Sequence, residues 1–107
     1  MLNSFFSKDK SDLDGYNFKK QIEKTPDSAV ILDVRTPAEF AEGSIPGALN
    51  IDILANDFKT KIEQLDPAKV YYVYCRSGNR SSNAVGQMAK HGLTAFSLVG
   101  GLGAWPK

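Results

Sequence analysis

The stretch Val70-Tyr71-Tyr72-Val73-Tyr74, followed at once by Cys75-Arg76-Ser77-Gly78-Asn79-Arg80, constrains this chain more than any other segment. A run of β-branched and aromatic residues predicts a strand. Helical spacing takes over directly after the loop. Ala84, Val85, Met88 and Ala89 share one face of a helix expected from about Arg80 or Ser81 to His91, with Gly92 as its C-terminal stop. A strand that passes through a short Gly-containing loop into a helix is the building unit of parallel α/β sheets, whose ligand sites lie beyond the carboxyl ends of the strands.

The rest of the chain repeats this alternation. Asp14 is placed to cap a helix running to about Lys24, with Tyr16, Phe18 and Ile22 as apolar positions and Thr25-Pro26-Asp27 as its stop. Ala29-Val30-Ile31-Leu32 is a short continuous apolar run, as in a strand buried on both faces. Thr36-Pro37-Ala38-Glu39 is a capping box with Pro at the first helical position, so a short helix is expected from Pro37 to about Glu42, ending at Gly43. Ile45-Pro46-Gly47 reads as a turn and Ala48 to Ile51 as a short strand. Leu54, Phe58, Ile62 and Leu65 form one apolar helical face, closed by Asp66-Pro67. Ala95 to Val99 is a last strand, before the Gly-rich tail Gly100-Gly101-Leu102-Gly103-Ala104-Trp105. Residues 1–13 are rich in Ser, Lys and Asp, with Phe5 and Phe6 to anchor them, and read as a loose N-terminal arm ahead of a single domain over 14–107. A chain of 107 residues fits one such domain. The expected fold class is α/β, with a mainly parallel central sheet flanked by helices on both faces.

Composition narrows the function. Lys and Arg total 13 against 12 Asp and Glu, which argues against a general nucleic-acid binder. No apolar run is long enough to span a membrane, and the first residues lack a sustained apolar core, so a cytoplasmic location is expected. One Cys rules out an internal disulfide and fits a reducing compartment. No cofactor or metal is called for.

The loop explains what that Cys can do. A strand-to-helix turn containing Gly78 can aim successive N–H groups inward, and together with the following helix start it attracts an anion. Arg76 and Arg80 add positive charge. A thiolate is stabilised in such a place, and the thiol pKa falls below its free value of roughly 8.5. A lone Cys ending an apolar strand is more often a small buried hydrophobe. An inert Cys, however, has no need of two Arg, a Gly and a helix start within five residues of it.

Cys75-Arg76-Ser77-Gly78-Asn79-Arg80-Ser81 resembles the active-site loop of single-domain rhodaneses. Leu32-Asp33-Val34-Arg35-Thr36-Pro37-Ala38-Glu39-Phe40 and Gly43-Ser44-Ile45-Pro46-Gly47-Ala48-Leu49-Asn50-Ile51 are similar to that family's N-terminal motif, and Gly100 to Trp105 to its C-terminal one. The three segments stand in the family's order between about Tyr16 and Trp105. One departure is Ser44, where the family commonly has His; that residue is usually structural, so local hydrogen bonding is affected more than catalysis.

The resemblance implies a single rhodanese-like domain that moves a sulfane sulfur in two steps. Cys75 attacks the outer sulfur of a small donor such as thiosulfate, and sulfite leaves. An external acceptor, a thiol or cyanide, then takes the sulfur from the Cys75 persulfide. Arg76, Ser77, Gly78, Asn79 and Arg80 are implied to bind substrate and persulfide. Asp33 and Arg35 are expected to form a buried pair near the site without touching substrate. With no second thiol in the chain, the acceptor must come from outside, and a protein can serve as well as a small molecule. A persulfide carrier that docks a partner enzyme is the alternative. A phosphatase or arsenate reductase on the same fold is a further one, though its loop typically places five residues between Cys and Arg, where this chain has four, Arg76 to Asn79. His91 is expected to end a helix, Tyr71, Tyr72 and Tyr74 to line the sheet, and Trp105 to pack the tail onto the core.

Overall fold

Ten short elements follow one another in the computed structural model, which describes residues 10–107. They are β1 (Asp12–Leu13), α1 (Gly15–Lys24), β2 (Ala29–Asp33), α2 (Pro37–Glu42), β3 (Leu49–Asn50), α3 (Phe58–Glu63), β4 (Val70–Tyr74), α4 (Asn79–Lys90), β5 (Thr94–Leu98) and a closing 3₁₀ turn, Gly101–Ala104. The strands form one parallel sheet in the order β1-β5-β4-β2-β3. The strand that carries Cys75 at its carboxyl end is therefore the central one.

Both faces of the sheet are covered, and β4 shows how. Side chains alternate along a strand. Tyr71, Val73 and Cys75 enter a core with Phe58 and Ile62 of α3 and Ala84, Val85 and Met88 of α4. Tyr72 and Tyr74 enter a second core with Phe18 of α1, Ile45 and Leu98. The sheet-lining role expected of the three tyrosines is what is found. Trp105 packs edge-on against Phe18, with ring centroids 6.1 Å apart, and so ties the tail to the second core. Among the described residues, no helix is long and apolar enough to cross a membrane.

Local signals set most boundaries. Asp14 caps α1 by accepting the Asn17 amide at 2.8 Å. The Thr36–Glu39 capping box starts α2. His91 caps the end of α4, Gly92 follows at φ +79°, and the amides of Gly92 and Leu93 close onto Ala89 and Met88.

Two expectations need correction. The arm read over residues 1–13 lies outside the described residues as far as residue 9, including Phe5 and Phe6; beyond that, Asp12 and Leu13 are a strand. Backbone bonds join it to β5, from the Ser97 amide to the Ser11 carbonyl at 2.7 Å and from the Val99 amide to the Leu13 carbonyl at 2.9 Å, and Leu13 packs against the second core. The apolar face Leu54-Phe58-Ile62-Leu65 is only partly helical, because α3 begins at Phe58 and Leu54 is 67 % exposed. The Asp52 carboxylate accepts the Leu54 amide at 2.8 Å, a local turn that competes with helix.

Candidate active site

Cys75 follows the last residue of β4 and is fully buried. The chain then turns through Arg76 and Ser77 to Gly78, whose φ of +108° is the left-handed conformation that only Gly adopts freely. That turn brings the Gly78 amide back onto Cys75 Sγ at 3.0 Å. The first turn of α4 adds the Ser81 amide at 3.4 Å, and the Ser81 hydroxyl lies 3.5 Å from the sulfur.

The electrostatics of the thiol are a contest between two effects. Burial pushes its pKa up. The Ser81 hydroxyl and the amides of Ser81, Gly78 and Ser77 pull it down, and the net movement is downward. Hydrogen bonds to the charged form thus outweigh desolvation. The arrangement turns two backbone amides toward a buried sulfur, a setting in which a thiolate can act as a nucleophile.

The loop is strapped from behind. The Cys75 carbonyl accepts the Leu102 amide at 2.8 Å. Gly101, at φ +74°, packs so closely on the Arg76 carbonyl that a Cβ there would collide with it. The Gly-rich tail is needed because two backbones meet at this point.

Of the residues implied to bind substrate, Arg76 and Ser77 are exposed on the loop and Asn79 is exposed at the first position of α4. Arg76 lines a depression of about 480 Å³ together with Arg35, Glu42, Gly43, Leu102 and Gly103. Arg80 is differently placed. Its Nη1 lies 2.7 Å from Glu39 Oε1 and its Nη2 3.0 Å from Oε2, a bidentate pair. Its charge is therefore already matched, and its first partner is a carboxylate of this chain. Glu39, held by the Arg80 guanidinium and then by the Thr36 amide, has its pKa lowered to about 2.

Asp33 and Arg35 form a buried pair. Asp33 Oδ2 meets Arg35 Nη2 at 2.7 Å, and Oδ1 accepts the Arg35 amide at 2.8 Å. Arg35 Nη2 also donates to the Gly43 carbonyl, and its guanidinium lies 5.7 Å from the Tyr74 ring centroid. The pair pins the end of β2 to the turn before β3. Ser44 is exposed beside it, and the buried amide of the next residue, Ile45, donates to Tyr74 Oη at 3.0 Å.

Three residues of the site go beyond what their sequence context predicts. Ser81 bonds the sulfur directly; its place at the start of a helix after the loop was a usable signal. The spacing of Glu39 from Thr36 predicts only a cap. Ser97 of β5, whose Oγ lies 2.8 Å from Ser81 Oγ, carries no local signal at all.

Comparisons with known proteins agree with this geometry. The family model of the rhodanese-like domain matches residues 16–107. YtwF of Bacillus subtilis is 38 % identical over 87 residues, spanning 81 % of this chain and 82 % of its own. The thiosulfate:glutathione sulfurtransferase of Saccharomyces cerevisiae is 30 % identical, spanning 89 % of this chain and 78 % of its own. A rhodanese-related protein of Thermoplasma volcanium, known as a crystal structure, superposes with a TM-score of 0.70 at 34 % identity, covering 80 % of this chain and 84 % of its own.

Proposed function

This chain belongs to the rhodanese-like domain family, and from that premise we propose that it is a sulfurtransferase whose Cys75 carries the transferred sulfur as a persulfide. The observation that carries the reading is the pair of backbone amides that donate to Sγ, Gly78 at 3.0 Å and Ser81 at 3.4 Å, with the Ser81 hydroxyl 3.5 Å away. These groups favour the thiolate, which is the attacking form.

In the first step the Cys75 thiolate attacks the outer sulfur of a donor such as thiosulfate. A new S–S bond forms on Cys75, the donor's S–S bond breaks, and its electron pair leaves with sulfite. In the second step a thiolate or cyanide attacks the terminal sulfur of the persulfide. The Cys75–S bond breaks, and the Cys75 thiolate returns with its electron pair. The loop stabilises the same negative sulfur at the start and at the end. Arg76, exposed at the mouth, is the cation free to meet an anionic donor; Arg80, paired with Glu39, shapes the loop. A thiosulfate donor and a low-molecular-weight thiol acceptor are supported by the name of the yeast relative.

Intact-mass measurement after thiosulfate treatment tests the reading. The expected product is the chain plus one sulfur, absent in Cys75→Ala, together with thiocyanate formation from cyanide that Cys75→Ala abolishes. Persistent absence of the added mass with a competent donor would sink it.

A further inference from the structure

Two buried hydroxyls stand in line behind the sulfur. Ser81 Oγ is 3.5 Å from Cys75 Sγ and 2.8 Å from Ser97 Oγ. Ser81 is fully buried and Ser97 is 2 % exposed. Ser81 also lies 3.1 Å from the Gly78 carbonyl, which can only accept. Ser81 has one proton, so the direction of each bond can be assigned.

While Cys75 is a thiol, its S–H donates to Ser81 Oγ and Ser81 donates to the Gly78 carbonyl. The contact with Ser97 is then satisfied only if Ser97 donates. When Cys75 loses its proton to solvent, the sulfur becomes an acceptor. Ser81 swings its O–H from the Gly78 carbonyl onto Sγ. The Gly78 carbonyl keeps a donor, the Ser82 amide at 3.1 Å. Ser97 donates to Ser81 Oγ in both states, so the change leaves no buried group unsatisfied.

We propose that Ser97 is a positioning residue for the nucleophile: donating from β5 into Ser81 Oγ, it reserves the Ser81 proton for the sulfur and favours the ionised Cys75. Hydrogen bonds in such a chain polarise one another, so the bond from Ser97 strengthens the one on the sulfur. The same chain serves the thiolate expelled when the acceptor takes the terminal sulfur. The proposal deepens the reading of Cys75 as the sulfur carrier and rests on it.

The charges on the elements around the sulfur belong in the account. Arg80 of α4 interacts with the Cys75 charge and is matched by Glu39 of α2. Arg76 lies on the loop, and Asp33 of β2 is paired with Arg35. Asp12 of β1 stands opposite Ser97 in register, and the ionisable groups of α3 (Lys59, Lys61 and Glu63) are exposed. Neither β5 nor the 3₁₀ turn carries an ionisable side chain. A change at Ser97 therefore alters no charge.

Because Cys75 is the only Cys of the chain, its ionisation can be followed by the ultraviolet absorbance of the thiolate against pH, with Cys75→Ala as background. In Ser97→Ala the ionisation constant of the Cys75 thiol is expected to fall about twofold, because the bond from Ser97 stands in both states and only its strengthening toward the ionised one shifts the equilibrium. Ser97→Thr and Ser97→Val have matched shape and differ by the hydroxyl. Thr is expected to keep a lower thiol pKa than Val, whatever each costs in thermal stability. Coincident titration curves for Thr and Val would overturn the proposal, as would a Ser97→Ala curve that overlays the wild type. The titration needs no sulfur donor, so a failed sulfur-transfer reading shows separately, as absence of the persulfide mass with the Thr and Val curves still apart.

Discussion

Glu39 performs two tasks with one carboxylate. Its Oε1 accepts the Thr36 amide at 3.1 Å, closing the capping box of α2, and both oxygens grip Arg80. The loop is thereby tied to a helix start 41 residues earlier in the chain. Both side chains are about three-quarters buried, at 26 % and 20 % exposure, so the pair is worth more than a surface contact and less than a buried one, about 1 kcal/mol. Its pH dependence has a definite sign. The folded state holds Glu39 at about 2 against an ordinary 4.5, so between those values the unfolded chain binds the extra proton. The contribution is complete above the ordinary value and is lost as pH falls through about 2. Thermal melts of wild type and Glu39→Gln are expected to differ fully at neutral pH and to converge in acid. A constant difference down to strong acid would show that the ion pair is not its source. In sulfur transfer, Glu39→Gln is expected to slow turnover through a loosened loop.

The 3₁₀ turn shows how an element far along the chain fixes the site. Gly101 has a left-handed φ of +74° and no room for a Cβ against the Arg76 carbonyl. Gly103, two residues on, has open space around it. Gly101→Ala is therefore expected to cost at least about 2 kcal/mol, from backbone strain and overpacking together, and to depress sulfur transfer by displacing the loop. Gly103→Ala should melt within about 0.5 kcal/mol of wild type, since it sits away from such features. Equal effects of the two would dissociate the loop from the turn. The comparison of elements also shows what a sequence reveals. The caps at Asp14 and Thr36, the left-handed stop at Gly92 and the alternation through Tyr71 to Cys75 are local, and each was readable from neighbouring residues. β1 was not, because a two-residue edge strand held by backbone bonds has no side-chain period. Leu54 departs from the helix its spacing predicts because a side-chain turn at Asp52 competes with it. In the site, Cys75 and its loop were legible, being contiguous. The grip of Glu39 on Arg80 and the contact of Ser97 with Ser81 were not, since each exists only once β2 and β5 lie on either side of β4.

At the scale of the molecule, the fold places one sulfur at the carboxyl end of its central strand, with a packed core on each face of the sheet. Nothing in the 107 residues offers a second thiol. A persulfide on Cys75 cannot be discharged by attack from a neighbouring Cys with formation of an internal disulfide. On the proposed reading its terminal sulfur is expected to leave only when an acceptor enters the loop from solvent, which would make the second half of the reaction bimolecular. Loaded protein, freed of donor, is therefore expected to keep its added sulfur for as long as acceptor is withheld. Adding a small thiol or cyanide should return the unmodified mass at a rate that rises with acceptor concentration and saturates only if the acceptor binds before it attacks. The depression lined by Arg76, Arg35 and Glu42 includes a loop residue, and acceptor binding is expected there. Arg76→Ala should then raise the concentration at which an anionic thiol saturates while leaving neutral thiols less affected. Loss of the added sulfur at one fixed rate, with or without acceptor, would mean that discharge is internal and that the single thiol does not set the course of the reaction.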